Sequence, residues 1–406
     1  MCNYKRVAPR RFWQNRISEA WLRHSIVSVV GVRGAGKTEL ARLAAAGPQF
    51  LDCSAPETRE LLARPEAILG TVPGRTIILD QAERLGNAPE LLDLAATRFP
   101  DVRILTTSNL PIPVTSKKVA LPGNVTAPTW PPSVKPPNPP GRTGSVWLTP
   151  MILHDLMEFG VRDLRRRMLH GGLPEFFLAP EPQGAAIEAW VDAFWVRDLQ
   201  EPFRLERSAP FRHLFGLLMA QSGSMFEAAR LAKSCGASRT TVSNYLAVLE
   251  TAFAMHTVRP YAEGGRSEIV SAPKVYGFDT GFVCHYRGAT TLRSGDLDSL
   301  WEHLVLNELH AHIGRSTVRY WRTKHGTQVD FVLVRHGRPP VAVECCWSAD
   351  GFEPAGMRSF RGAYPGGASF VVTADTPDGG SFERAFGPLR VTFASPRDLV
   401  RMYQSP

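Results

Sequence analysis

Cysteine is scarce in this chain of 406 residues: Cys2, Cys53, Cys235, Cys284, Cys345 and Cys346 are all it has. They form no C-x-x-C pair and no disulfide-like framework, as expected of a protein kept in a reducing compartment. No apolar run reaches membrane-spanning length, and the opening MCNYKRVAPRRFWQ lacks the apolar core of a signal peptide. Acidic residues are also in deficit: 38 Asp and Glu against 47 Lys and Arg leave a formal charge of +9. A basic surplus favours a polyanionic partner or an acidic membrane surface. With no spanning segment, the expectation is a soluble, cytoplasmic protein with no membrane partner. The length predicts two or three domains rather than one.

What is present is concentrated between Ser25 and Leu43, SIVSVVGVRGAGKTELARL. The β-branched run Ile26, Val27, Val29, Val30 predicts a buried strand. Gly31, Val32, Arg33, Gly34, Ala35 and Gly36 then form a loop, and Lys37-Thr38 opens a helical pattern. This is G-x-x-x-x-G-K-T in the strand–loop–helix order the motif requires. Its glycines let backbone N–H groups point inward at a positive helix end and cradle phosphate. Lys37 is expected to reach the β- and γ-phosphates, and the Thr38 hydroxyl to help hold Mg²⁺. ATP and Mg²⁺ are the expected ligands, with Arg33 and Ala35 among the loop's contacts.

Downstream, Arg75 to Asp80 (RTIILD) reads as an apolar strand ending in a carboxylate, the expected metal partner of such a loop. Gln81 follows where many ATPases of this architecture carry Glu. An amide can orient a water but cannot accept its proton, so firm ATP binding with slow or partner-dependent hydrolysis is expected. Glu83, two residues on, is a substitute that the sequence does not place. Asp101 to Leu105 reads as a further strand leading to Thr106-Thr107-Ser108-Asn109, with Asn109 or Ser108 as the γ-phosphate sensor. Tyr4 to His24, with Phe12, Trp13 and Trp21 at helical spacing, reads as a leading helix packed on this core.

From about 111 to 144 the chain becomes dense in proline, predicting an extended insertion. Met151 to His170 reads as a helical region whose Arg162, Arg165, Arg166 and Arg167 make a solvated basic face. Ala185 to Asp198 is expected to be helical with Trp190, Phe194 and Trp195 on one side. Met225 to Lys233, a turn at Gly236, and Ser238 to Glu250 have helix–turn–helix spacing. Ser238 is the expected N-cap, and Arg239, Thr240, Ser243 and Asn244 are the residues offered to a major groove. Val258 to Tyr276 alternates like a β-wing carrying Arg259, Arg266 and Lys274. Winged helices bind DNA or protein, and DNA is the preferred partner here.

The last third starts with an amphipathic helix from Leu300. Two strands (Thr317 to Arg322 and Gln328 to Val334) and a third, Val341 to Cys346, follow. Glu302, Asp330 and Glu344 are candidate hard-oxygen ligands for a divalent ion. In restriction-type nucleases the position two after the Glu is Lys; here it is Cys346, which cannot replace it.

Taken together, GVRGAGKT, IILDQAERLGNAPELL, ILTTSN, HGGLPEFF, TTVSNYLAVLE, PKVYGFDTG, WEHLVLNEL, YWRTKHGTQVDFVL and VAVECC resemble a prokaryotic family of AAA-type ATPases. That family joins a P-loop domain to a winged helix and a C-terminal restriction-endonuclease-like domain. The resemblance implies an α/β fold: a P-loop NTPase parallel sheet with flanking helices over 1–170, a helical and winged-helix domain over 171–290, and an α/β nuclease-like domain over 291–406. It implies ATP binding through Gly31 to Thr38 and Asp80, and a nuclease-like fold around Glu302, Asp330 and Glu344. Gln81, Gln328, Cys346 and the proline-rich insertion depart from its pattern. The expected function is an ATPase coupled to a DNA-binding winged helix. The alternatives are an ATP-gated, metal-dependent DNA nuclease and a nucleotide-bound protein-interaction scaffold. A homo-oligomer is among the assemblies this reading allows.

Overall fold

The computed structural model describes residues 8–71, 76–112, 143–205, 208–262 and 270–405. Nearly all of the expected proline-rich insertion, and residues 263–269 of the expected wing with Arg266, lie outside them. The chain divides into two compact units. The first comprises Met1–Asp163, Gly172–Leu214 and Ala229–Met255; the second comprises Leu164–Gly171, Phe215–Ala228 and His256–Pro406.

The first unit is built on a five-stranded sheet. Its strands are β1 (Ile26–Val30), β2 (Gln49–Asp52), β3 (Thr76–Asp80), β4 (Arg103–Ser108) and β5 (Thr143–Trp147), in spatial order β2-β3-β4-β1-β5. Every pairing is parallel, with Val30 beside Ser108 and Trp147, and Asp52 beside Asp80. Strands of a parallel sheet are covered on both faces, which is why β1, β3 and β4 read as nearly unbroken apolar runs. Ile26, Ile77, Leu79 and Ile104 pack with Leu91, Leu92 and Ala95 of the helix Ala88–Arg98. The parallel order brings the C-terminal tips of β1, β3 and β4 together, where a ligand crevice of an open α/β sheet forms. The helix Arg11–Trp21 buries Trp13 and Ile17, as the aromatic spacing predicted.

The second unit carries a nine-stranded sheet. Its strands are β6 (Ser224–Met225), β7 (Met255–Pro260), β8 (Lys274–Gly277), β9 (Val318–Arg322), β10 (Gln328–Leu333), β11 (Val341–Cys346), β12 (Ser369–Thr373), β13 (Phe382–Phe386) and β14 (Leu389–Ala394). The order is β13-β14-β12-β11-β10-β9-β7-β8-β6. Here the structure redraws the expected domains. The strands read as a wing, β7 and β8, are hydrogen-bonded into this larger sheet, β7 running parallel to β9 with Arg259 beside Arg319. The two helices of the helix–turn–helix, Ala228–Cys235 and Arg239–Thr251, fall almost wholly in the first unit. Alternation in the sequence identifies strands but not their partners, so a strand pair can be assigned to the wrong sheet.

Two helical expectations change as well. Met151 to His170 is broken into Leu153–Glu158 and Leu164–His170, with Gly160 at φ 73 between them. Arg167, expected on a solvated face, is buried in the second unit. It donates to Thr280 Oγ1 at 3.1 Å and lies 4.0 Å from the Asp279 carboxylate.

The second unit also buries two histidines on its 20-residue helix Ser294–Ile313. Burial, then Arg287 and Arg167, lowers His303 to about 3, and its Nε2 lies 3.0 Å from Ser222 Oγ. Burial, then Arg315 and His303, holds His310 well below its ordinary value. Both rings are neutral when folded and titrate near 6.5 when unfolded. Their contribution is therefore complete above about pH 6.5 and is lost as pH falls below it. Between about pH 7.5 and pH 5.5 the pair should cost the second unit on the order of 1–3 kcal/mol. Urea melts at the two pH values check this, and His303→Gln/His310→Gln should flatten the difference.

Candidate functional site

The phosphate loop is shaped by what its backbone must do. A side chain at Gly31 would place Cβ 2.3 Å from the Leu148 carbonyl oxygen, so only glycine fits where the chain leaves β1. Gly36 caps the helix Lys37–Leu43 at φ 93, a left-handed conformation that glycine adopts freely. Lys37 is buried and its Nζ donates to the carbonyl oxygens of Gly31 and Val32, each at 2.8 Å. Its ammonium is thus turned onto its own loop. Burial lowers Lys37 to about 8, against the opposing pull of Glu83 and Asp198.

Thr38 and Asp80, the two expected metal-site residues of the first unit, lie together. The Thr38 hydroxyl donates to Asp80 Oδ1 at 2.9 Å, and Thr107 donates to the same oxygen at 2.6 Å. A hydroxyl and a buried carboxylate so close, at the tip of β3 and the start of the loop's helix, form the hard-oxygen donor set that suits Mg²⁺. Gln81 is half-buried and left-handed, with φ 55; its backbone N–H donates to Thr107 Oγ1 at 3.0 Å.

Three parts of the site were not legible in the motif. Asp198, in the π-helical turn Trp195–Gln200, is 2% exposed and takes both Nε (2.6 Å) and Nη2 (2.9 Å) of Arg33. It also accepts from Asn109 Nδ2 at 3.0 Å, so one carboxylate ties the phosphate loop to the expected sensor at the end of β4. Such π-turns recur at functional sites. Glu83 accepts from the Asn109 backbone N–H at 3.1 Å through Oε1, while its Oε2 is buried with no hydrogen-bond partner. Burial pushes the Glu83 carboxyl above its ordinary value, against the Asn109 N–H and the Lys37 ammonium. Arg10 holds the loop from below: Nη1 donates to the Ala35 carbonyl at 2.6 Å, and Nε and Nη2 grip Asp155 at 3.0 and 2.7 Å. The signals available in the sequence were an acid inside an aromatic helical run (Asp198) and an acid one turn past Asp80 (Glu83).

In the second unit, Glu302, Asp330 and Glu344 do converge, but around an ammonium. Lys274 Nζ lies 3.2 Å from Glu302 Oε1, and Tyr276 donates to the same oxygen at 2.5 Å. Burial opposes the Lys274 charge, yet Glu302, then Asp330 and Glu344, raise it overall. Burial first, then Asp330, drives Glu344 well up. Asp330 Oδ2 accepts from the Cys345 N–H at 3.0 Å. Among the described residues, no group of three or more His, Cys, Asp and Glu side chains is set to hold a metal ion. The expected three-carboxylate cation cage is therefore a carboxylate–ammonium cluster, because Lys274 supplies the positive charge. Burial, then Asp330 and Glu344, raises Cys346 to about 12, so its thiol stays protonated. A lysine in the otherwise apolar strand β8 was the available signal.

The first unit thus has the sheet order and phosphate-loop geometry of a P-loop ATPase fold. Residues 161–293 match a family described as Domain of unknown function (DUF8612), and 297–378 match Domain of unknown function (DUF4143). Uncharacterized proteins of Mycobacterium tuberculosis (strain H37Rv) and Mycobacterium bovis are each 28% identical over 338 residues, covering 81% of this chain and 72% of theirs. Among solved structures, the Walker-type ATPase paby2304 of Pyrococcus abyssi aligns with 69% of this chain and 96% of its own, at 14% identity and a TM-score of 0.42. A STAND signal-transduction ATPase with a tetratricopeptide repeat sensor, from Pyrococcus horikoshii, aligns with 75% of this chain and 46% of its own, at 12% identity and a TM-score of 0.22. Among the described residues, no helix is long and apolar enough to cross a membrane.

Proposed function

We propose that this chain is an AAA-type ATPase that binds ATP at Gly31 to Thr38, hydrolyses it slowly or only with a partner, and couples nucleotide state to DNA. The observation that carries this reading is the meeting of the half-buried Thr38 with the buried Asp80, with Lys37 buried in the same loop. Thr38 and Asp80 would hold Mg²⁺, which would supply positive charge to the bound phosphate oxygens. Lys37, released from the Gly31 and Val32 carbonyls, would bind the same oxygens, and the loop N–H groups would orient them. Asn109 would sense the γ-phosphate. Slow turnover in the isolated chain follows from two contacts: Lys37 is engaged by its own loop, and Arg33 and Asn109 are engaged by Asp198.

DNA is the partner favoured by the helix Arg239–Thr251. Ser238 caps it, accepting from the Thr241 N–H at 3.0 Å, and Arg239, Thr240 and Ser243 at its start are exposed. That is the part of a recognition helix that enters a major groove. Duplex DNA should accelerate ATP turnover, and Arg239→Ala should weaken that stimulation. Anisotropy of a labelled duplex should show affinity falling by at least about tenfold from roughly 50 to 200 mM salt, as phosphate contacts require. Salt-insensitive binding, or turnover indifferent to duplex, would leave this helix as a protein-docking element.

A further inference from the structure

We propose that Glu83, rather than the residue after Asp80, is the base that takes the proton from the attacking water in ATP hydrolysis. The inference rests on the ATP-binding reading above and assigns a group within the same site. At position 81 the side chain is an amide, which has no proton affinity to offer a water. Gln81 is also left-handed, so the chain turns sharply after Asp80 and continues into the 3₁₀ turn Ala82–Arg84. That turn carries Glu83 back to the end of β4.

There one oxygen is fixed and the other is buried near the Ser108 hydroxyl without a well-formed hydrogen bond. Oε1 is held by the Asn109 N–H at 3.1 Å, while Oε2 is buried without a hydrogen-bond partner. A buried carboxylate oxygen left unpaired is costly unless something occupies it in the working state. Through Asn109 the Glu83 carboxylate is placed beside the end of β4, and the Lys37 ammonium is close enough to favour its charge. A carboxyl raised by burial is also better matched to proton abstraction near neutrality than an ordinary one.

The step balances without a further reactant. The water oxygen bonds to the γ-phosphorus as the bond to the β,γ-bridging oxygen breaks, and that electron pair leaves with ADP. The water proton passes to Glu83 Oε2, then to phosphate or solvent as the product departs. Asn109 is a positioning residue in this step, because its N–H fixes the carboxylate that acts.

The test measures phosphate release and fluorescent-ATP binding on the full chain, with and without duplex DNA. Glu83→Gln keeps the shape and the acceptor for the Asn109 N–H. It should lower turnover by about 100-fold or more while nucleotide affinity stays within about threefold. Glu83→Asp, which retains a shortened carboxylate, should show an intermediate kcat, and it serves as the second variant should the amide fail to fold. If Glu83→Gln turns over ATP within about threefold of wild type, the assignment falls and ATP binding stands. The same holds if wild type binds ATP but never hydrolyses it. A parallel loss of affinity and turnover would mark Glu83 as structural. If wild type binds no nucleotide, both readings fail.

Discussion

Replacing Lys37 with alanine should weaken ATP binding by about 30-fold or more and abolish ATP turnover. Lys37 is the cation of the loop, buried behind Gly31 and Val32, and alanine leaves the loop's N–H groups to face a polyphosphate without it. A hydrogen-bonded charge pair truncated at one partner costs roughly 2–5 kcal/mol, which is about 30- to several-thousand-fold in affinity. The folded protein should change little, because the two hydrogen bonds lost to Gly31 and Val32 are offset by removal of a buried charge. Lys37 is a buried ammonium whose desolvation lowers it to about 8, so its removal relieves a cost of burial. Fluorescent-ATP titration and a thermal melt on the same sample separate the two effects. Unchanged ATP affinity in Lys37→Ala would remove the nucleotide site from this loop.

The second large effect is expected at Asp155, far from the motif in sequence. Asp155 is completely buried and accepts from Arg10 Nε and Nη2, from Trp13 Nε1 at 3.1 Å and from the Ile152 N–H at 3.0 Å. Asp155→Ala would leave the Arg10 guanidinium buried and uncompensated, and breaking such a pair costs about 3–5 kcal/mol. Denaturant unfolding of the first unit should show that loss as a shift in midpoint without a change in slope. Because Arg10 Nη1 also carries the Ala35 carbonyl, ATP affinity should weaken alongside stability. Asp155→Asn tests the charge alone: it keeps an acceptor for the indole and should fall between wild type and alanine. A variant as stable as wild type would mean that Arg10 finds water or another acceptor, and the pair would then be no support for the loop.

These two residues illustrate where function could be read in the chain and where it could not. Lys37 belongs to a contiguous segment whose strand, turn and helix each have a local signature: β-branched residues, glycines at special backbone angles, then a Lys-Thr helix start. Asp80 was legible for the same reason, as the acid ending an apolar run, and Ser238 as an N-cap before a helical pattern. All three stand in the structure where that logic puts them. Asp198, Glu83 and Lys274 carry only the weak marks of a charge among apolar or aromatic neighbours, or of an acid close to Asp80, and Asp155 carries none. Each acts through a partner set by the packing of separate elements: Arg10 with Asp155, Arg33 with Asp198, Asn109 with Glu83, Glu302 with Lys274.

The expected wing failed for a related reason. Period-two alternation reports that Val258 and its neighbours have a buried face, but hydrogen bonds to β9 decide which sheet they join. Cys346 likewise read as a lost cation, whereas the tertiary structure delivers a cation to the same carboxylates from β8. Local backbone chemistry was enough to specify the glycine-rich loop and the carboxylate at the tip of β3, since both depend on neighbours in sequence. The Glu83–Asn109, Arg10–Asp155 and Lys274–Glu302 contacts join a buried charge to a partner distant in sequence. Only the folded chain decides those, because desolvation makes each charge dependent on the partner that packing brings to it.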